Sequence, residues 1–271
     1  VPSGVCSKKS KGRASLDECE HIHIFSCLIS VLLNESSLWS WRGSCDFQKK
    51  KTDFPKNLTT PALFSPHPLF ENFGERVERS EACVRLGLDP ANRYVLFFGL
   101  IRDYKGLDLL LDAWAQLRRA GHTEGRRLIV AGEFYTAREP YLNRIADNGL
   151  QDEVLLHDRF IPDDDVKYYF SAADFVVQPY KTATQSGVTQ IAYQFCVPMV
   201  VTDVGGLSEI VPDGRVGYVC EPTVQGVADA IARMYDGDTI ERFRLNCIEE
   251  RKRFSWEEMC TRIAELYEMV R

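Results

Sequence analysis

From about residue 92 onward, short apolar runs alternate with amphipathic stretches. That alternation constrains the fold more than any other feature of the chain. Runs at 94–98 (YVLFF), 127–131, 154–156, 174–178, 199–202 and 218–220 are three to five residues long. Between them, apolar residues recur with helical period. The clearest case is 107–120 (LDLLLDAWAQLRRA), where Leu109, Leu110, Ala113 and Leu117 share one face. Further helices are expected at 141–148, 163–170, 187–195, 224–235, 239–247 and 256–269. Three aspartates open the 163–170 stretch, where they suit the positive end of a helix dipole. Short apolar strands separated by helices predict a parallel sheet, because the crossover helices cover both of its faces. The expected fold class is therefore α/β, doubly wound, with a mostly parallel sheet. Such sheets bind ligands outside the carboxyl ends of their strands, so the loops that follow the apolar runs are where function is sought.

The first part of the chain reads differently. Residues 1–65 hold four of the nine cysteines, nine basic and six acidic residues, and no sustained period of 3.6 or 2. Pro61, Pro66 and Pro68 then mark a connection. We divide the chain into an atypical N-terminal region and linker (1–75), a Rossmann-like domain (76–253) and a C-terminal helix (254–271). The apolar stretch at 22–33 is interrupted by polar residues and is shorter than the about 20 residues a membrane span needs. Nor does it make a signal peptide, since Asp17, Glu18 and Glu20 separate it from the basic cluster upstream. The formal charge of −6 over 271 residues argues against a general nucleic-acid binder. Nine cysteines, an odd number without a C-x-x-C pair, point to a reducing compartment. His21, His23 and Cys27 lack the spacing of a metal site, and no metal is expected.

Three loops carry candidate chemistry. The first is Gly99-Leu100-Ile101-Arg102-Asp103-Tyr104-Lys105-Gly106, between a strand and a helix. Gly99 lets a ligand approach the backbone. Arg102 and Lys105 set two cations beside a helix N-terminus, an arrangement suited to phosphate or diphosphate. The plainer alternative is a solvated turn with two surface charges. The second loop, 179–189 (PYKTATQSGVT), is small and polar and leads into a helix. Its Ser186, Gly187 and Val188 amides can hold an anion, or Ser186 can serve as an ordinary N-cap. The third, 202–209 (TDVGGLSE), offers a glycine pair and a carboxylate for sugar hydroxyls, or a tight turn into a short helix capped near Ser208. No G-x-S-x-G nucleophile elbow or H-E-x-x-H zinc motif is present. Phe254 and Trp256 are expected to pack against the core.

At these residues the sequence resembles the nucleotide-sugar-dependent glycosyltransferases of family 4, the group 1 glycosyl transferases. The segments FFGLIRDYKG, LIVAGE, DFVVQPY, TQSGVTQIAYQFCVPMVVTDVGG and GYVCEP carry the resemblance, over about residues 90–260. It implies the donor-binding half of a GT-B fold, which pairs two Rossmann-like domains. It implies that Lys105 and Arg102 are the catalytic cations at the donor diphosphate. It further implies that Gly99, Phe160, Ile161, Gln185, Ser186, Gly187, Val188 and Glu209 line the donor site, with Phe160 and Ile161 at the base. The donor is a nucleoside-diphosphate sugar and a substrate, so no cofactor is expected. The other partner is a hydroxyl acceptor, with retention of anomeric configuration. The implied setting is polysaccharide or glycoconjugate synthesis in the cytoplasm, at the inner face of the membrane. Peripheral membrane association would come through an N-terminal acceptor domain or a lipid-linked acceptor.

The sequence departs from the family's pattern in three ways. Two glutamates that the family often carries, eight residues apart, fall on Ala183 and Ile191. Cys196 occupies a position that is usually glycine. Only about 80 residues precede the donor domain, and an acceptor domain needs more, so the chain is expected to be truncated or altered at its N-terminus. Two alternatives stay open: a truncated, non-catalytic nucleotide-sugar-binding domain, and an isomerase-like relative acting on the donor alone.

Overall fold

The computed structural model of the chain describes residues 65–270. The expectations for 22–33 and for His21, His23 and Cys27 fall outside them. Within them, six strands form one sheet: β1 Arg93–Phe98, β2 Arg126–Ala131, β3 Val154–His157, β4 Phe175–Gln178, β5 Met199–Thr202 and β6 Gly217–Cys220. Every neighbouring pair is parallel, and the order is β3-β2-β1-β4-β5-β6. The chain winds outward from β1 to β3 and returns to place β4 against the other side of β1. The β1/β4 boundary is therefore the switch point, where a doubly wound sheet opens a crevice at its carboxyl edge.

Alternation along each strand sends side chains to two separate cores. Tyr94, Leu96, Phe98, Ile129, Val176, Met199 and Val201 enter one. Val95, Phe97, Leu128, Val130, Phe175, Val177 and Val200 enter the other. The second face is covered by α2 (Leu107–Arg119), α3 (Glu139–Asp147), α7 (Val224–Met234) and part of α8 (Thr239–Glu250). In α2, Leu110, Ala113 and Leu117 are buried as their period predicts, with Leu109 packed at the margin. The first face is covered by α1 (Arg79–Leu86), α4 (Asp163–Ala172) and α5 (Gly187–Gln194), joined later by α6 (Leu207–Ile210). The last element is α9 (Trp256–Val270).

Strand and helix positions follow the sequence pattern closely. Helix α1 does not. It is eight residues long and buries fully only Ala82 and Cys83, too little for a periodic signal. It is fixed instead by Gly87 in the left-handed conformation at its end, and by Arg79, which donates to the Pro90 and Asn92 carbonyls. Trp256 is also a correction. Phe254 is buried against the Tyr193 ring, but Trp256 opens α9 at 52% exposure, because the turn after Phe254 points it away from the core.

The amino edge of the sheet is held by one buried carboxylate. Asp174 accepts from the Tyr94 amide at 2.7 Å and pairs with Arg93 at 3.3 Å. It lies at the opposite end of the strands from the candidate loops, so its role is architectural.

Cys196 stands at φ 51 and is the one described non-glycine residue with positive φ. It follows α5 in a Schellman arrangement. The Cys196 amide donates to the Tyr193 carbonyl and the Val197 amide to the Ala192 carbonyl. That position favours glycine, because a Cβ in the left-handed region costs about 1–2 kcal/mol. Cys196→Gly is expected to unfold at higher denaturant than Cys196→Ala, by about 1 kcal/mol once the extra chain entropy of glycine is set against the relieved strain. Equal stabilities in a urea titration would show that the turn carries no such strain.

Candidate functional site

The three candidate loops leave the carboxyl ends of β1, β4 and β5, and their backbones touch. Gly106, at φ +70, comes so close to the Pro179 carbonyl that a Cβ there would lie 2.0 Å from its oxygen. Gly205, at φ +54, would put a Cβ 1.6 Å from the Ala183 carbonyl. Hydrogen bonds lock the same seams. The Lys181 amide donates to Tyr104 at 2.8 Å, and the Gly206 amide to Thr184 at 2.9 Å. Thr202, at the end of β5, donates through its hydroxyl to the Tyr180 carbonyl at 2.6 Å. The loops thus form one rigid rim rather than three independent turns.

Lys105 lies inside that rim. It closes a short turn, Asp103–Lys105, and is only 7% exposed, although lysine is among the residues least often buried. Its Nζ and Val188 Cγ2 both lie within 3.6 Å of the point where a Cβ on Gly99 would sit. The ammonium and the first turn of α5 therefore converge over Gly99, at the switch point. Ser186 caps α5, its Oγ accepting from the Val188 amide at 3.2 Å. The structure thus brings together Gly99, Lys105, Ser186, Gly187 and Val188. A buried cation facing a helix N-terminus is a setting for a polyanion, since both present positive potential. Lys181, close in sequence to this cluster, is committed elsewhere: its Nζ binds Asp108 at 2.7 Å.

The other expected residues surround this centre. Arg102 is half-buried, with its guanidinium over the Tyr135 ring at 5.2 Å, in the loop after β2. Phe160, 45% exposed, and Ile161, 2% exposed, follow β3. Gln185 lies against Gly206. Glu209 lies in α6, which starts after Gly206 with no side-chain cap, so Ser208 is not the cap that was expected. Ala183 and Ile191 carry no carboxylate, and Ile191 is 4% exposed within the first core.

Several neighbours were not singled out from sequence. Tyr180 is buried, with its hydroxyl 3.1 Å from Ser186 Oγ. Asp103 accepts from Thr136 at 3.1 Å and from the Tyr141 hydroxyl at 3.0 Å, tying the rim to α3. Burial, and then the Asp103 charge, push the Tyr141 hydroxyl far above the usual tyrosine range. Gln178, the last residue of β4, is 1% exposed, and its amide has no hydrogen-bond partner among the described residues. Its signal was a polar residue closing an apolar run. The Phe70 ring lies against Gly187 at the start of α5.

Comparison with known proteins bears on the family and the fold. Residues 92–237 match the family described as "Glycosyl transferases group 1". The lipopolysaccharide core biosynthesis mannosyltransferase of Rhizobium meliloti is 32% identical over 217 residues, covering 73% of this chain and 58% of that protein. Two solved structures share the fold at 22% identity. Sucrose-phosphate synthase from Thermosynechococcus elongatus has a TM-score of 0.66, covering 77% of this chain and 52% of its own. Anabaena HepE in complex with UDP-glucose has a TM-score of 0.59, covering 74% and 56%. The chain spans about half the length of the curated relatives it matches, 38%, 47% and 58% for three of them.

The rim's rigidity is testable without a ligand. Gly205→Ala is expected to cost about 3 kcal/mol, because it adds a backbone clash to an unfavourable φ. Gly214→Ala, at φ +70 with open space around it, should cost only about 1 kcal/mol, the strain alone. Similar losses for the two variants in denaturant titrations would contradict the close packing of the loops.

Proposed function

Because this chain belongs to the group 1 glycosyl transferases, we propose that it binds a nucleoside-diphosphate sugar at the β1/β4 switch point and passes the sugar to a hydroxyl acceptor with retention. The observation that carries the reading is the burial of Lys105 over Gly99, facing the N-terminus of α5. When the bond from the sugar to the diphosphate breaks, negative charge accumulates on the departing phosphate. A preorganised cation and the helix amides stabilise that charge more than they stabilise the bound donor, which lowers the barrier. In this reading Lys105 neutralises the leaving diphosphate, and the Gly187 amide holds it together with the Ser186 hydroxyl, while the Val188 amide is held by the Ser186 cap and Val188 packs beside Gly99. Arg102 extends the positive field from the β2 side. Phe160 and Ile161 bound the base, while Gln185 from the second loop and Glu209 from the third face the sugar. Residues 76–253 form the donor-binding domain.

The family resemblance and the relatives' printed names support polysaccharide or glycoconjugate synthesis as the setting. A lipid-linked acceptor would bring the protein to the inner face of the cytoplasmic membrane. Among the described residues no helix is long and apolar enough to cross a membrane. A second reading, donor binding without turnover, is favoured by one observation: Ala183 and Ile191 stand where the family often has carboxylates.

Calorimetric titration with UDP, GDP and ADP, each with and without a sugar attached, tests the proposal. Saturable binding of one base series is expected. Lys105→Ala should weaken it by about 30-fold or more, the loss of a charge-assisted contact worth about 2 kcal/mol. Lys181→Ala should change it by no more than about twofold, as befits an exposed ion pair. Equal effects of the two variants would remove Lys105 from the site. Binding in the absence of any acceptor-dependent release of nucleoside diphosphate would select the second reading.

A further inference from the structure

Tyr180 joins every part of the rim. It is 3% exposed, unusual for a tyrosine in a loop that is otherwise small and polar. Its carbonyl accepts from Thr202 at the end of β5. Its ring meets the Tyr104 ring edge-on at 6.2 Å, and the Lys105 ammonium lies 6.0 Å from both ring centres. Its hydroxyl lies 3.1 Å from Ser186 Oγ. One residue thus reaches the cation and the helix cap through its side chain and the end of β5 through its carbonyl.

We infer that Tyr180 is a positioning residue that aims both Lys105 and the Ser186 hydroxyl at the diphosphate of the donor. The inference rests on the function proposed above and adds a residue to it. Two tyrosine faces confine the lysine. They restrict a flexible ammonium to few rotamers, and their ring quadrupoles attract it. The hydroxyl contact acts through hydrogen-bond accounting. Ser186 Oγ already accepts from the Val188 amide. When Tyr180 donates its proton to the same oxygen, Ser186 keeps its own O–H to donate outward to a phosphate oxygen. The chain Tyr180 O–H to Ser186 O–H to anion polarises each bond in the same direction. No proton is transferred; the tyrosine only fixes which way the serine points.

The two contributions separate by substitution. Tyr180→Phe keeps the ring beside Lys105 and removes the hydroxyl. Tyr180→Leu removes both. The test titrates the full chain and each variant with a nucleoside diphosphate and with the matching nucleoside, with thermal melts run in parallel. Tyr180→Phe is expected to weaken diphosphate binding by about three- to tenfold, the range of one hydrogen bond. Tyr180→Leu should weaken it further, beyond about tenfold. Nucleoside affinity should stay at the wild-type value in both. A merely structural tyrosine would lower nucleoside and diphosphate affinity together, and that result overturns the inference. So does unchanged diphosphate binding in both variants. If the wild-type chain binds no nucleoside diphosphate at all, the proposed function falls first and takes this role with it.

Discussion

The constraint on which this structure depends is that a parallel sheet must be covered on both faces. Its strands are apolar in succession, so Val95 and Phe97 enter one core while Leu96 and Phe98 enter the other. Helices must then cover both sides, α2 and α3 on one and α4 and α5 on the other, and every crossover returns the chain to the same edge. All the loops after strands gather there as a consequence. The reversal of winding at β1 and β4 opens that edge at one place. The candidate site is therefore not an addition to the fold but the location the fold leaves for one. The buried Asp174, which anchors the opposite edge, is free to be purely structural for the same reason.

Preorganisation is the second theme. A phosphate site on flexible loops would spend binding energy on ordering them. Here Gly106 and Gly205 let neighbouring loops pack backbone against backbone, closer than any Cβ would permit. Lys105 enters this rim already confined, with its ammonium over Gly99. Cations and amides fixed in advance do not have to reorganise as charge develops, and that is where electrostatic catalysis draws its advantage.

Much of this was legible in the residues. The apolar runs predicted the strands within a residue or so, and the loops after them proved to adjoin one another. Gly99, Lys105 and the Ser186–Val188 turn were recognisable because glycine, lysine and a capping serine each have a local signature at a strand-to-helix turn. What escaped was decided by tertiary contact. Lys105 and Lys181 both stand in strand-end loops, yet Asp108, distant in sequence, draws Lys181 away. Tyr180 sat in the quoted loop without any local mark of its place between Tyr104, Lys105 and Ser186. Helix α1 was too short for periodicity to reveal, and Trp256 was misjudged because hydrophobicity alone does not fix which way a helix opens. Cys196 is the intermediate case: the family resemblance marked its place as one usually held by glycine, and the structure shows the left-handed φ that favours glycine there.

The most direct measurement is a crystal structure of the chain with a bound nucleoside diphosphate. The account requires the diphosphate to lie over Gly99, within hydrogen-bonding distance of Lys105 Nζ and of the Gly187 amide that opens α5, with the Ser186 hydroxyl turned toward it. A nucleotide seated elsewhere on the carboxyl edge, leaving Lys105 untouched, would contradict the claim that these strand ends form a donor site.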